Sequence, residues 1–327
     1  MESIASPTIV KNLDLNACPL GAITRYWVHV VSSGTGQPIL VPVLVARGSA
    51  RGPILGITAA VHGNELNGLP VVQRIFANLD IQQLRGTLVG VPVVNIPGFL
   101  NNQRYFNDGS DLNRLMPGRP DGNVSQIYAH RIIKKIVRHF EYLLDLHTAS
   151  TGRINSYYIR ANLNHPVTAR MAELQNAEII VNNAGADGTL RSAAADLGIH
   201  AITVEAGDPQ KFQKGMIRSA ITGAFNVMRH LDMIDEPILS PEEPPVICQR
   251  SYWIYTNAGG LLEVFPKITD RVEKGERIAL VRNIFGDIVR EYFAPEAGVV
   301  VGKSINPTNQ TGGRIIHLGI ADPAPQG

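Results

Sequence analysis

Short apolar runs rich in β-branched residues, each bounded by turn-forming positions, recur along the chain at 26–31, 39–45, 54–61, 88–94, 142–147, 157–159, 178–181 and 201–204. Their length and composition predict strands. Between them the apolar spacing changes. Residues 69–79 carry a helical stripe, and 127–140 repeat it with Ile132, Ile133, Ile136, Val137 and Phe140 on one face. Strands alternating with helices predict an α/β fold, a mixed and largely parallel sheet flanked by helices.

The pattern breaks after Leu231. Residues 235–245 are acidic and rich in proline with no apolar period, which reads as a linker. Beyond it, 259–264, 270–279, 285–287 and 294–300 read as short strands and turns. They resemble the small barrel-sandwich of lipoyl and biotinyl domains, although the turn at 282–287 lacks the lysine that carries a prosthetic group. The expected organisation is therefore a catalytic unit at 1–234, a linker at 235–245 and a C-terminal all-β barrel-sandwich domain at 246–327 that shapes the site's rim or an oligomer contact.

Composition narrows the class. The chain has 327 residues, 44% of them hydrophobic, enough for a sizeable core. A net charge of +2, from 30 basic and 28 acidic residues, gives no electrostatic reason to expect nucleic acid or a membrane as partner. No run approaches the ~20 apolar residues of a membrane span, and residues 1–7 lack the pattern of a signal peptide. Cys18 and Cys248 are far apart and form no CxxC motif, so a cytoplasmic location is expected and a cysteine-rich zinc site is not. The glycines at 34–38 and 185–191 lack the spacing of a phosphate loop and read as turns.

Candidate chemistry begins at His62-Gly63-Asn64-Glu65, directly after the apolar run 53–61. By itself His-x-x-Glu also suits the start of a helix. Catalytic zinc commonly takes three protein ligands, and His147, at the end of the run 142–147, is the best third candidate. Glu205 closes another apolar run, and Asp145 lies two residues before His147 on the same strand face. His62, Glu65, His147 and Glu205 thus all fall at or just after strand ends, where open α/β sheets bind ligands.

Taken in order, His62-x-x-Glu65, Asn113-Arg114, Asp145-x-His147 and Glu205 resemble the succinylglutamate desuccinylase/aspartoacylase branch of the zinc carboxypeptidase superfamily. The likeness extends to Arg104-Tyr105 and Arg191-Ser192, with somewhat longer gaps here. It implies a zinc-carboxypeptidase-like fold with one zinc per chain on His62, Glu65 and His147. It also implies Glu205 as base, Arg104 as stabiliser of the oxyanion, Asn113 and Arg114 as a carboxylate clamp, and Arg191 for a second anionic group. Asp145 would accept the remaining N–H of His147. Two imidazoles and a carboxylate also leave iron, cobalt and manganese open. Arg153, Arg160 and Lys211 lie in segments that could face the site, and nothing in the sequence chooses among them.

The function expected is a zinc amidohydrolase that deacylates an N-acyl amino acid or related small amide. A metallocarboxypeptidase acting on a short peptide uses the same centre and is the alternative among enzymes. A non-catalytic metal- or ligand-binding protein is the alternative of another class. Assembly as a homo-oligomer is left open.

Overall fold

A computed structural model describes residues 6–186, 188–241 and 243–321. The N-terminal residues 1–5, Asp187 in the 185–191 segment, Glu242 in the linker and the last six positions of the C-terminal unit lie outside the described residues. The central strands run in the order Pro38–Arg47, Arg85–Val91, Ala50–Ala59, Tyr142–His147, His200–Ala206, Tyr157–Ala161 and Ile179–Asn182. Arg85–Val91, Ala50–Ala59, Tyr142–His147 and His200–Ala206 are mutually parallel, and Tyr157–Ala161 joins antiparallel. The sheet is therefore mixed, as the alternating pattern predicts. Tyr142–His147 is buried along nearly its whole length, which explains its almost continuous apolar sequence: a parallel strand at the centre of a sheet has both faces covered.

Helices cover both faces. Val71, Ile75 and Phe76 of the Gly68–Asn78 helix and Ile217, Ala224 and Val227 of the Lys214–His230 helix pack into one apolar layer. Tyr128, Ile132 and Ile133 of the Val124–Lys135 helix and Leu190, Ala193 and Ala194 of the Leu190–Asp196 helix fill the other. The helix expected over 127–140 starts earlier and stops earlier. Asn123 and Gln126 form a reciprocal capping box that fixes the start. Ile136 leaves helical geometry (φ −126°, ψ −65°), and a single 3-10 turn at Val137–His139 follows. Ile136, Val137 and Phe140 nevertheless stay buried, so the apolar spacing continues through the turn.

The C-terminal residues add strands at both levels. Val246–Tyr255 pairs in parallel with Ile179–Asn182 and antiparallel with Arg314–Ala321, which extends the large sheet. Gly260–Val264, Arg277–Arg282, Ile288–Phe293 and Thr308–Asn309 form a separate four-stranded antiparallel sheet. The expected turn at 282–287 is found as the connection 283–287 of its Arg277–Arg282/Ile288–Phe293 hairpin. Cys18 and Cys248 are both free and buried. Among the described residues no helix is long and apolar enough to cross a membrane.

Candidate metal centre and substrate pocket

The strand expected over 54–61 ends at Ala59, because Ala60 adopts a left-handed conformation (φ 51°) and turns the chain across the end of the sheet. That turn delivers His62 and Glu65 to the carboxyl edge, beside His147 at the end of its own strand. Gly63 is required by close packing. A β-carbon there would lie 2.1 Å from the Gly98 carbonyl carbon and 2.2 Å from the Phe99 nitrogen, both backbone atoms of the Ile96–Leu100 helix. Gly63→Ala is expected to cost about 1–3 kcal/mol of stability, read as a lower midpoint in chemical denaturation. An unchanged midpoint would show that the loop can retreat freely.

His62 Nδ1 lies 2.8 Å from Glu65 Oε1, His147 Nδ1 lies 2.9 Å from Glu65 Oε2, and the two Nδ1 atoms are 3.3 Å apart. The three side chains are almost wholly buried. Their outer nitrogens are engaged elsewhere: His62 Nε2 meets Asp111 Oδ1 at 3.0 Å and His147 Nε2 meets Asp145 Oδ2 at 2.8 Å. Since an ionised carboxylate only accepts, each Nε2 must donate, and in neutral rings each Nδ1 then presents a lone pair. Two lone pairs and a carboxylate converging at such distances form a donor set that a cation can fill. Burial disfavours a charged His147, yet Asp145 and Glu65 raise its pKa well above the ordinary value. Burial likewise opposes the Glu65 charge, but His62 and His147 outweigh it and hold its pKa below the carboxylate range. The donor set thus fits a divalent ion, with one ligand atom from each of His62, Glu65 and His147.

The partners around this centre are well defined. Thr58 donates to Asp145 (2.7 Å), and the Thr148 backbone N–H donates to Glu65 (3.1 Å). Arg104 donates to Glu65 and Asp111 at 2.9 and 3.0 Å and to Ser150 at 2.7 Å. Asp111 therefore bridges His62 and Arg104. The sequence alone gave Asp111 no role, because nothing local relates it to a histidine 49 positions earlier.

Glu205 stands opposite His147 in the parallel register, and Tyr158 stands opposite Glu205 on the other side. Burial raises the pKa of Glu205, with Arg160 and His147 opposing. Asn155 donates to Glu205 at 3.2 Å, and Arg160 lies 3.5 Å away. All these groups line a cavity of about 190 Å³, together with Arg104, Asn113, Arg114 and Arg191. Asn113 Oδ1 accepts from the Leu190 backbone N–H (2.7 Å), which ties the 112–114 turn to the Leu190–Asp196 helix. Arg191 is buried and donates to the carbonyl and side chain of Asn183 at 2.5 and 2.6 Å.

The structure brings together every residue singled out from the sequence, with Asp145 reaching the site through His147. It also separates the three undecided cations: Arg153 and Arg160 line the cavity, whereas Lys211 pairs with Asp208 at 2.7 Å. Sequence reading missed Asn155, Tyr158 and Trp253. The alternation of Tyr158 and Arg160 signals that they share a strand face, but not which strand that face adjoins. Trp253 comes from the C-terminal unit, so part of the pocket wall belongs to it.

Residues 51–231, more than half of the chain, match the succinylglutamate desuccinylase/aspartoacylase catalytic domain. The chain belongs to this family. An N-alpha-acetyl-L-2,4-diaminobutyric acid deacetylase from Halomonas elongata is 24% identical over 278 residues, covering 81% of each chain. Among solved structures, the product-bound ectoine utilization protein EutE (DoeB) from Ruegeria pomeroyi superposes with a TM-score of 0.84 at 22% identity, covering 93% of this chain and 98% of that one. A succinylglutamate desuccinylase from a Silicibacter species gives 0.83 at 21% identity, with 94% and 98% covered. At such identities the structural likeness speaks for the fold.

Proposed function

We propose that this protein is a zinc-dependent amidohydrolase that removes the acyl group from an N-acyl amino acid or a related small carboxylate-bearing amide. The observation that carries the reading is the His62, Glu65 and His147 cluster facing Glu205 across one small arginine-lined cavity. Membership of a deacylase family and the name of the Halomonas elongata relative support the same chemistry. A zinc ion in the cluster would acidify water towards neutral pH and polarise an amide carbonyl.

The chain supplies the remaining functions. Asp111 and Asp145 hold the two imidazoles with both Nδ1 atoms turned inward. A carboxylate oxygen of Glu205 takes the proton of the attacking water and passes it to the departing amine. Asn113 and Arg114 bind the substrate carboxylate, for which the guanidinium offers a planar fork of donors. Arg191 takes a second anionic group. Arg104 opposes the negative charge that develops on the carbonyl oxygen, and Arg104→Ala is expected to lower kcat by roughly 10²–10³. Unchanged turnover in that variant would remove Arg104 from the chemistry. In this reading residues 1–234 are the catalytic unit, 235–245 the linker, and 246–327 a β unit that closes the rim through Trp253.

The test is metal content of protein purified without added metal, followed by product analysis on N-acyl amino acids and dipeptides. About one zinc per chain with release of free amino acid from N-acyl compounds is expected. Cleavage confined to dipeptides would make the protein a carboxypeptidase. Tight binding of either class without turnover would make it a binding protein.

A further inference from the structure

Glu205 is flanked on its own sheet face by Tyr158, directly across the antiparallel pair, and by Arg160, which stands opposite Thr203 two positions away. A guanidinium so placed ordinarily closes on the carboxylate as a fork of two hydrogen bonds, with N···O distances of about 2.7–2.9 Å. Here it does not. Arg160 Nε lies 3.5 Å from Glu205 Oε1, while Nε and Nη2 both donate to the Tyr158 hydroxyl, at 3.0 and 2.6 Å. Burial raises the Tyr158 pKa against the charge of Arg160, so the hydroxyl keeps its proton and accepts the two donors on its lone pairs. The ring that carries this hydroxyl is held in place. Tyr158 is almost fully buried, and His317 of the Arg314–Ala321 strand meets it edge-on with ring centroids 6.0 Å apart.

We propose that Tyr158 is a positioning residue: its hydroxyl occupies the guanidinium donors of Arg160 that would otherwise close on Glu205, and so leaves the carboxylate free to meet the attacking water. The inference rests on the deacylase reading, in which Glu205 is the base. A carboxylate clamped by a guanidinium fork has its lone pairs occupied and its charge compensated, and both effects weaken it as a proton acceptor. Asn155, which donates to Glu205 Oε2 at 3.2 Å, orients the carboxylate as a neutral donor and leaves the charge in place. Phenylalanine at 158 would keep the ring and remove the acceptor of both Arg160 donors. Among the described residues Glu205 is the one acid within ion-pair reach of Arg160, so the released guanidinium would turn to it.

The role is tested by a double-mutant cycle and by a structure. In Tyr158→Phe, kcat on the N-acyl amino acid that the wild type hydrolyses best should fall roughly 10- to 100-fold, with KM changed by less than about threefold and zinc content unchanged. Because Tyr158 acts through Arg160, the same substitution made in Arg160→Gln should cost less than about twofold, and the double variant should turn over faster than Tyr158→Phe alone. Equal losses in the two backgrounds, or a loss carried by KM alone, would overturn the proposal. A crystal structure of zinc-loaded Tyr158→Phe gives a reading independent of turnover: Arg160 should close on Glu205 to the roughly 2.7–2.9 Å of a guanidinium fork. An Arg160 that keeps its wild-type distance from Glu205 would reject the role. Should Arg160 close in this way while the wild-type protein hydrolyses no amide, the restraint on Arg160 stands and the deacylase reading falls. Should the wild type hydrolyse N-acyl amino acids and Tyr158→Phe keep its full kcat, the deacylase reading stands and the positioning role is rejected.

Discussion

Replacing His62 or His147 with alanine is expected to remove the bound metal and to lower kcat/KM by roughly 10³–10⁵. The estimate takes several kcal/mol of transition-state stabilisation from the ion, at about 1.4 kcal/mol per tenfold. Loss should be near complete in either variant, because among the described residues the cluster offers three ligand side chains and each variant removes one. The fold should survive, since the truncated side chain leaves Glu65 with its Arg104 and Thr148 partners and the apolar layers lie elsewhere. Elemental analysis with circular dichroism on the same samples checks both points. Asp111→Asn and Asp145→Asn should act more mildly, lowering metal affinity about 10- to 100-fold, because each touches an imidazole rather than the ion. Metal retained at wild-type level in both histidine variants would move the centre away from this cluster.

Glu205→Gln should leave metal content unchanged and lower kcat by about 10²–10⁴, the usual contribution of a positioned acid/base group. Its size and its Asn155 contact are preserved, so a general loss of structure is not expected. The pH profile carries more information than the rate. Burial raises the pKa of Glu205, and a base works only when deprotonated. The wild-type rate should therefore rise with pH along an acid limb displaced upward from the ordinary carboxylate range. In Glu205→Gln that limb should be absent. An acid limb that persists unchanged in the variant would assign it, and the base, to another group.

The legibility of the site followed its geometry. His62, Glu65, His147 and Glu205 could be singled out because each follows an apolar run, and neighbouring parallel strands end at one edge of a sheet. Asp145 could be read from the two-residue period of a strand. Asp111, Asn155 and Trp253 could not, because each reaches the site by a long connection whose direction is not encoded in its own neighbourhood. The same distinction separates Arg160 from Lys211. Both are cations in chain segments near candidate residues, but strand pairing directs one into the pocket and a three-residue turn gives the other to Asp208.

The sequence by itself determined the eight strand runs of the α/β unit, two of its helices and the chemical types at the strand ends, because side-chain period and turn residues act over a few positions. Tertiary structure decided what those types became. Strand register set Glu205 beside His147, and the left-handed turn at Ala60 with Gly63 against the Ile96–Leu100 helix aimed His62 and Glu65 at the same point. The inward direction of both Nδ1 atoms was fixed by carboxylates that meet the imidazoles only in the folded chain. The excess of arginines over carboxylates around the cavity likewise exists only where a loop, a helix and strands distant in sequence meet. Charge and coordination depend on distances of a few ångströms, and such distances between remote residues are set by packing.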